Sequence, residues 1–492
     1  MKLTVNGDIN EYYVQTLCLL FFPASKFAKT DNATDGAPEA IVDVDFDGEK
    51  ATATVTVSVG GKSVTKIYSE QNTGKYSDYT LRRIACGKAF FAAGKALLGI
   101  APQWGILTGV RPAKLALKGL YSGSTKAEVK SQMVKEYLVS PKKAALVTDI
   151  ASVEKKIISK LGKNTCSVYV SIPFCPSRCS YCSFVSFTSS KLLSLVDDYV
   201  DKLCIDIKRI FDEIKALGLT VSTVYIGGGT PTTLDEKQLE KLLNVINSCT
   251  DTSILEEFTL EAGRPDTITS EKLAVIKNGG VTRVSVNPQT LNPAVLEIIG
   301  RHHTVDEFFR AYDLVKNSGI KHINTDLIAG LPSEGFRSFS ETVDKIIDLH
   351  PDNVTVHTLC IKSAADFANR AGDICNTFSE TTKCVDYAQL ACKNAGYIPY
   401  YIYRQKNTVD NLENVGFAMP GTEGRYNIYM MEEVHSIFSV GAGAVSKLVS
   451  PAGGKIERIF DYKYPYEYLS DKENEKGENK LRTIEEFYTQ NT

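Results

Sequence analysis

From residue 166 onwards, short β-branched runs alternate with stretches that carry apolar residues at helical spacing, and this alternation limits the fold more than any other feature. It is typical of βα units that build a parallel sheet. Six units are predicted, which suffice for an open, partial (β/α)6 barrel. The predicted strands are 167–172, 222–226, 256–261, 282–286, 322–327 and 353–358, and the predicted helices are 191–217, 235–248, 269–279, 304–318 and 338–349.

The chain is long enough to form further regions before and after the barrel in sequence. Its 492 residues are too many for one ordinary hydrophobic core. We predict an N-terminal α+β extension (1–163), the partial barrel (164–375) and a small α+β C-terminal, substrate-side region (376–492). In the extension, three runs with period-two alternation predict an antiparallel meander with Gly60-Gly61 in a hairpin turn, and a helix is predicted over 78–98.

A loop after the first barrel strand presents three thiols, Cys175, Cys179 and Cys182. Their spacing, Cys-x3-Cys-x2-Cys, lets one short loop wrap three sulfurs around a compact inorganic core. A four-iron cluster held in this way keeps one iron without a protein ligand. A closed zinc site needs a fourth ligand, and the nearest candidate, Cys166, lies at the opposite end of the strand. A structural or zinc-binding loop is the alternative interpretation.

The cysteine loop resembles that of radical S-adenosylmethionine (SAM) enzymes, and Tyr181, just before the third cysteine, fits the same pattern. The resemblance implies that the three cysteines hold a [4Fe-4S] cluster whose open iron chelates SAM. Ile-Pro-Phe-Cys, together with Cys-Ser-Phe at the third cysteine, is more narrowly similar to the oxygen-independent coproporphyrinogen III dehydrogenase family. The segment 104–114 and the Tyr-Arg-Gln-Lys and Gly-Ala-Gly-Ala elements near the C-terminus resemble its long HemZ branch.

Polar residues follow the predicted barrel strands, where the chemistry of such barrels collects. The glycines 227–229 lack Cβ atoms, so their backbone amides can approach an anion, although a glycine triplet is also an ordinary turn. The family resemblance implies that this element binds the amino group and carboxylate of SAM. It implies SAM contacts for a wider set of residues, namely Tyr169, Tyr181, Gly228, Gly229, Thr230, Glu261, Gln289, Arg301 and Asp326.

Several of these side chains also have structural interpretations. Glu261 stands at the end of a predicted buried strand, where an ionised carboxylate needs a partner. The family resemblance implies that this partner is a SAM ribose hydroxyl. A salt bridge to Arg264 is the alternative. Asp326 is costly to bury unless it is hydrogen-bonded. His357 is either a satisfied core histidine or a substrate-facing group. Metal binding by His302-His303 is not expected, because adjacent side chains point in different directions.

Charge and composition limit the partners. A net charge of -2 argues against nucleic acid as the main partner. Twelve cysteines without a paired framework indicate a reducing compartment, so a cytoplasmic location is expected. The apolar run 14–22 is too short to span a bilayer. Tyrosines beside Arg404 and Lys406 predict either an amphipathic edge strand or a surface for a flat tetrapyrrole with anionic groups. The charged segment 471–480 is expected to be solvated and mobile.

The resemblance also implies an activity. A 5′-deoxyadenosyl radical would abstract hydrogen from an unactivated C–H bond, and on coproporphyrinogen III the propionate side chains would lose carbon dioxide to become vinyl groups, giving protoporphyrinogen IX in haem biosynthesis. A low-potential electron donor of the flavodoxin or ferredoxin type would be needed. Two residues depart from the better-studied enzymes: Ser171 replaces a histidine and Phe184 a further cysteine. A haem-trafficking chaperone and a radical SAM enzyme that modifies haem therefore stay open as alternatives.

Overall fold

The computed structural model describes residues 1–23, 25–27, 36–184, 186–360, 380–406, 408–471 and 473–491. The chain forms two compact units, one of Met1–Ser152 with Tyr403–Glu413 and one of Val153–Ile402 with Asn414–Thr492. The division into three regions stays a prediction, and its boundary at 375 lies outside the described residues. None of the helices in the described ranges is long and apolar enough to cross a bilayer.

The first unit contains a four-stranded sheet with the order β1-β2-β3-β4. Its strands are β1 (Lys2–Asn6), β2 (Glu39–Phe46), β3 (Lys50–Val59) and β4 (Lys62–Gln71). The antiparallel pairing of β2, β3 and β4 confirms the predicted meander, whereas β1, which pairs parallel with β2, was not predicted. Along β3 the alanine and valine side chains at every second position are buried, so one face of the sheet forms the core.

Helices cover this unit and lead into the next. They are α1 (Glu11–Phe21), α2 (Asp78–Leu98), α3 (Pro112–Tyr121), α4 (Lys126–Tyr137) and α5 (Pro141–Ile158). The prediction of a helix over 78–98 is confirmed: Ser77 caps its N-terminus and Gly99 ends it in the left-handed region at φ 73°. Most of the apolar run 14–22 lies in α1, where Val14, Leu17 and Phe21 are buried as core residues.

The second unit is built on six neighbouring parallel strands. They are β5 (Thr165–Ile172), β6 (Thr220–Gly228), β7 (Glu257–Glu261), β8 (Arg283–Ser285), β9 (His322–Ala329) and β10 (Asn353–Thr358). The helices between them are α6 (Ser190–Leu193), α7 (Val196–Ala216), α8 (Glu236–Cys249), α9 (Ser270–Asn278), α10 (Pro293–Ile298), α11 (Val305–Asn317) and α12 (Phe336–Asp348). This order confirms the partial (β/α)6 barrel, which stays open because other strands occupy both of its edges.

In the described ranges, the C-terminal segments extend the barrel sheet to 11 strands. On one side, β13 (Ser436–Val440) pairs parallel with β5 and is followed by antiparallel β14 (Val445–Val449) and β15 (Ile456–Phe460). On the other side, β12 (Glu413–Ala418) pairs antiparallel with β10, and β11 (Ile398–Arg404) lies at the sheet edge. The edge position is thus confirmed, but the strand is not amphipathic, because Tyr400, Tyr401 and Ile402 are all buried. The remaining helices of the described residues are α13 (Thr381–Asn394), α14 (Arg425–Glu432), α15 (Pro465–Ser470) and α16 (Glu475–Asn491).

The prediction of a solvated, mobile segment at 471–480 is wrong from residue 475 onwards. These residues begin α16, whose buried side chains include Ile484 and Phe487. Lys480 is only 6% exposed and forms an ion pair with Asp461 at 2.7 Å. Glu475 and Glu478 are exposed on the outer side of this amphipathic helix, whereas Lys480 is buried.

Candidate active site

The carboxyl ends of the barrel strands lie along one rim of the open sheet, because neighbouring parallel strands end on the same side. β5 runs into the cysteine loop, β6 ends in the glycine triplet 227–229, and β7 ends at Glu261. Gln289 follows β8 and forms an isolated bridge with Leu327 of β9. Residues predicted separately from the sequence are thus brought to one rim of the barrel sheet.

Backbone hydrogen bonds close the cysteine loop. The N–H of Cys175 donates to Phe187 O at 3.1 Å, and the N–H of Phe187 donates to Pro173 O at 2.8 Å. Within the loop, the N–H of Cys182 donates to Cys179 O at 3.0 Å. Cys179 is buried, while Cys175 and Cys182 are half-buried. The loop therefore has a defined path with three thiols on one short segment.

The thiols have identifiable neighbours. The Sγ of Cys175 lies 3.3 Å from Thr230 Oγ1. Burial raises the pKa of Cys175 and raises the pKa of Cys182 to about 11, so both thiols hold their protons at neutral pH unless a metal replaces them. Among the residues that the structure describes, no three histidine, cysteine or acidic side chains lie together as a preformed metal site.

The glycine triplet packs directly on the cysteine loop. A Cβ on Gly229 would lie 2.5 Å from Phe174 O and 3.0 Å from Cys175 Sγ, so only glycine fits there. The N–H groups of Gly229 and Thr230 donate to Ile172 O and Phe174 O, both at 2.7 Å. The amides of Gly229 and Thr230 are therefore occupied by the cysteine loop and are not available to an anion.

Glu261 is paired with a tyrosine. The hydroxyl of Tyr225 donates a hydrogen bond to Glu261 Oε1, and burial raises the pKa of the Glu261 carboxyl to about 7. Arg264 instead forms a two-point ion pair with Asp266, at 3.0 and 3.1 Å, so the salt bridge between Glu261 and Arg264 considered from the sequence is wrong. The ring of Tyr169 stacks on Tyr225 at 6.0 Å between centroids.

The carboxylate of Asp326 lies inside the site, and each of its two oxygens accepts a hydrogen bond. Its Oδ2 accepts from Asn287 Nδ2 at 2.9 Å, and its Oδ1 accepts from Asn324 Nδ2 at 2.8 Å. His357 Nε2 lies 3.8 Å from Oδ2. Burial acts to raise the pKa of Asp326, but His357 and the amide donors outweigh it and leave the pKa below its ordinary value. The expectation that Asp326 is hydrogen-bonded is confirmed.

Gln289 holds an unsatisfied acceptor at the rim. Its backbone has a φ of 68°, which is unusual for a residue other than glycine, and the side chain is 7% exposed. The backbone is fixed by hydrogen bonds to Asp326 O and from Ile328 N. The side-chain Oε1 has no hydrogen-bond partner. A buried amide oxygen without a partner in a strained segment is suited to accept a hydrogen bond from a ligand.

Arg301 is buried and joins three loops. Its Nη1 donates to Gly263 O at 3.1 Å and to Asn287 O at 2.6 Å, and its Nε donates to Tyr181 OH at 3.3 Å. Arg301 is therefore a buried group and not a surface cation. Its guanidinium ties the cysteine loop to the loops that follow β7 and β8.

The sequence did not single out four residues of this site as functional: Arg264, Asn287, Tyr225 and His303. His303 is 3% exposed, neither ring nitrogen has a hydrogen-bond partner, and burial lowers its pKa to about 3. Arg264 and Asn287 lie within three residues of the ends of β7 and β8. This position after a barrel strand could have marked them as candidate site residues. Tyr225 lies within a strand run and gives no such signal.

The residues present fit an anionic iron–sulfur cluster and a zwitterionic cofactor. Three thiols supply the donor set, the guanidinium of Arg264 lies against Cys179, and Arg301 reaches the neighbouring Tyr181. Gly229 allows close backbone approach beside Cys175. Gln289 offers a free acceptor.

Comparison with known proteins agrees with this chemistry. Residues 169–346 match the radical SAM superfamily. The chain is 38% identical over 402 residues to the oxygen-independent coproporphyrinogen-III oxidase-like protein HemZ of Bacillus subtilis (strain 168), covering 81% of this chain and 80% of HemZ. It is 32% identical over 280 residues to the heme chaperone HemW of Lactococcus lactis subsp. lactis (strain IL1403), covering 56% of this chain and 68% of HemW.

The fold is also similar to a solved structure, that of the coproporphyrinogen III oxidase HemN of Escherichia coli, described as a radical SAM enzyme. The TM-score is 0.50 at 20% sequence identity, covering 66% of this chain and 73% of HemN, which supports the fold alone. The cofactors of the superfamily are a [4Fe-4S] cluster and SAM. The chain belongs to the radical SAM superfamily and, within it, to the family of oxygen-independent coproporphyrinogen-III oxidase-like proteins that includes HemZ.

Proposed function

We propose that the rim is a radical SAM active site in which Cys175, Cys179 and Cys182 hold the [4Fe-4S] cluster. When bound, the cluster and SAM together supply a radical that removes hydrogen from an unactivated C–H bond. The observation that carries the proposal is the set of contacts joining separate strand ends to the cysteine loop. Thr230 contacts Cys175, Arg264 contacts Cys179, and Arg301 contacts Tyr181.

The residues around the loop would bind and orient SAM. Glu261, with two carboxylate oxygens beside Tyr225, is suited to accept hydrogen bonds from ribose hydroxyls. Gln289 brings an acceptor that has no partner within the protein. Arg301, whose position is fixed by two backbone carbonyls, holds Tyr181 against the ligand. The proposed SAM-contacting residues are Tyr169, Tyr181, Gly228, Gly229, Thr230, Glu261, Gln289, Arg301 and Asp326.

The proposed reaction is the oxygen-independent oxidative decarboxylation of coproporphyrinogen III to protoporphyrinogen IX in haem biosynthesis. Support comes from the relation to HemZ, which extends over 81% of this chain. An oxidoreductase of this kind would take a porphyrinogen as substrate and receive electrons from a low-potential donor of the flavodoxin or ferredoxin type. The barrel would position the substrate carbon and exclude water while the reactive species exists.

A second candidate function is haem trafficking, and two observations favour it. One is the relation to HemW, which is named a heme chaperone. The other is Phe184, which is 70% exposed and stands where the better-studied dehydrogenases carry a further cysteine. Such a protein would keep the cluster and the SAM pocket and hand haem on. An enzyme that modifies haem with the same cofactors is the third possibility.

Product analysis separates these functions. Protein purified and reconstituted without air is given SAM and dithionite, with coproporphyrinogen III or haem in parallel reactions. The dehydrogenase predicts harderoporphyrinogen and then protoporphyrinogen. Tight haem binding without turnover indicates the chaperone, and loss of the haem absorption band indicates haem modification. If none of these reactions releases 5′-deoxyadenosine, the proposal of a radical SAM active site is wrong.

A further inference from the structure

We propose that Arg264 raises the reduction potential of the cluster by donating a charge-assisted hydrogen bond to the sulfur of Cys179. The inference rests on the proposed function, because it requires that Cys179 is a cluster ligand. Arg264 is a positioning residue in this account, since it acts on the cluster through Cys179.

The guanidinium of Arg264 points towards the cysteine loop. Arg264 follows the end of β7 and is 3% exposed. Its Nη1 lies 3.6 Å from Cys179 Sγ and 3.4 Å from Ser177 O, so two acceptors on one loop share the same nitrogen. Cys179 is itself buried, and water therefore competes little for this contact.

The other side of the guanidinium is anchored. Asp266 accepts from Nε at 3.0 Å and from Nη2 at 3.1 Å, which leaves Nη1 for the cysteine loop. The backbone is held as well, because Arg264 O accepts from the N–H of Thr267 at 3.0 Å and from its hydroxyl at 2.7 Å. A two-point carboxylate pair fixes the plane of an arginine fork. The donor is thus oriented by the protein alone.

The physical effect on the cluster has a definite sign. Reduction adds one electron and no proton, so the charge on the iron and its thiolates becomes more negative. A cation and a hydrogen bond at a ligand sulfur stabilise the more negative form and raise the potential. The electron comes from the low-potential donor, or from dithionite in the experiment. Arg301 also interacts electrostatically with Cys179, but its described hydrogen bonds go to two carbonyls and the Tyr181 hydroxyl and not to a sulfur.

The test is a redox titration of the reconstituted cluster in Arg264→Met, followed by electron paramagnetic resonance. Methionine keeps much of the side-chain volume and removes the charge and the donors. At a fixed potential, we expect the ratio of reduced to oxidised cluster to fall three- to tenfold; for one electron, tenfold corresponds to about 59 mV. Fe–S stretching bands of the wild type should shift in deuterated buffer, and this shift should diminish in the variant.

Arg283→Met is the matched control. Arg283 is another buried arginine of the same unit, paired with Glu257 at 3.4 Å at the opposite end of the barrel strands. It should leave the cluster potential unchanged. If Arg264→Met does not assemble a cluster, Arg264→Gln is titrated instead and should show the same direction of shift.

A wild-type potential in a fully loaded Arg264 variant would overturn the inference, and so would an equal shift in Arg283→Met. Either result would leave the proposed function intact. If the wild-type protein itself binds no iron–sulfur cluster, the proposed function fails first.

Discussion

Tyr225 donates its phenolic hydrogen bond to Glu261, and this pair joins the neighbouring strands β6 and β7 at the rim where SAM is proposed to bind. Burial raises the pKa of Glu261 to about 7, above the usual range of a carboxyl group. In the absence of SAM, the protonated form therefore stabilises the fold. That contribution is complete below the ordinary carboxyl pKa and is lost as the pH rises through about 7.

SAM affinity should depend on pH through Glu261. The ionised carboxylate is the better acceptor for ribose hydroxyls, so we expect the affinity of the cluster-loaded protein to rise about tenfold between pH 6 and pH 8. In Glu261→Gln the profile should be flat and the affinity lower throughout. Equilibrium dialysis with labelled SAM measures both. An unchanged profile in the variant would exclude this role.

Gly229→Ala should disrupt the cysteine loop. The new Cβ would lie 2.5 Å from Phe174 O, and backbone must move to accept it. We expect several-fold lower iron loading and a loss of about 1 to 3 kcal/mol in the free energy of unfolding. Gly162→Ala is the control, because its Cβ would meet only Thr165 Cγ2 at 3.4 Å, an ordinary contact. Equal iron content in the two variants would contradict this explanation.

His435 should make the second unit sensitive to acid. Its ring nitrogens contact Ser167 Oγ at 2.8 Å and Thr165 Oγ1 at 3.1 Å, and burial lowers its pKa to about 4. Its neutral form therefore stabilises the fold above the ordinary histidine pKa, and this is lost as the pH falls towards 4. Between pH 7 and pH 5 the loss should be about 2 kcal/mol.

Denaturant unfolding at the two pH values measures this effect. His435→Asn should reduce the difference between them, and replacement of the exposed His302 by asparagine should not. If both variants keep the full pH dependence of the wild type, titration of His435 does not account for it.

Glu413 should be important for the stability of the first unit. It accepts from Trp104 Nε1 at 2.7 Å and from Lys143 Nζ at 2.5 Å, and neither charged side chain is exposed. Glu413→Gln removes the negative charge that lies against the buried Lys143 ammonium, which should cost about 3 to 5 kcal/mol. The double variant Lys143→Met with Glu413→Gln should recover part of that loss in denaturant unfolding. Additive losses would show that the pair is not coupled.

The order of the barrel elements could be predicted because each strand and helix carries its own local pattern. The rule that parallel strands end on one side then places Glu261 and Asp326 at the same rim from the sequence alone. The contacts made there could not be predicted. Arg264 meets Cys179 across 85 residues of sequence, and no local pattern indicates which of two nearby carboxylates an arginine will choose.

The strands β12 to β15 and the last helix were missed for a related reason. β13 pairs with β5 although most of the second unit separates them in sequence, and only tertiary packing decides such a pairing. The sequence of α16 is rich in charged residues, but the helix also carries a buried apolar stripe that includes Ile484 and Phe487. Composition alone indicated a solvated segment, whereas helical spacing of the apolar residues would have indicated an amphipathic helix.

The central claim is that Cys175, Cys179 and Cys182 hold the cluster that cleaves SAM. The most direct test compares Cys179→Ala with Cys392→Ala, a buried cysteine of α13, after anaerobic reconstitution with iron and sulfide. With SAM and dithionite, we expect the wild type and Cys392→Ala to release 5′-deoxyadenosine and Cys179→Ala to release none. Cofactor cleavage that persists in Cys179→Ala, or anaerobically purified wild-type protein that holds zinc in place of iron, would contradict the account.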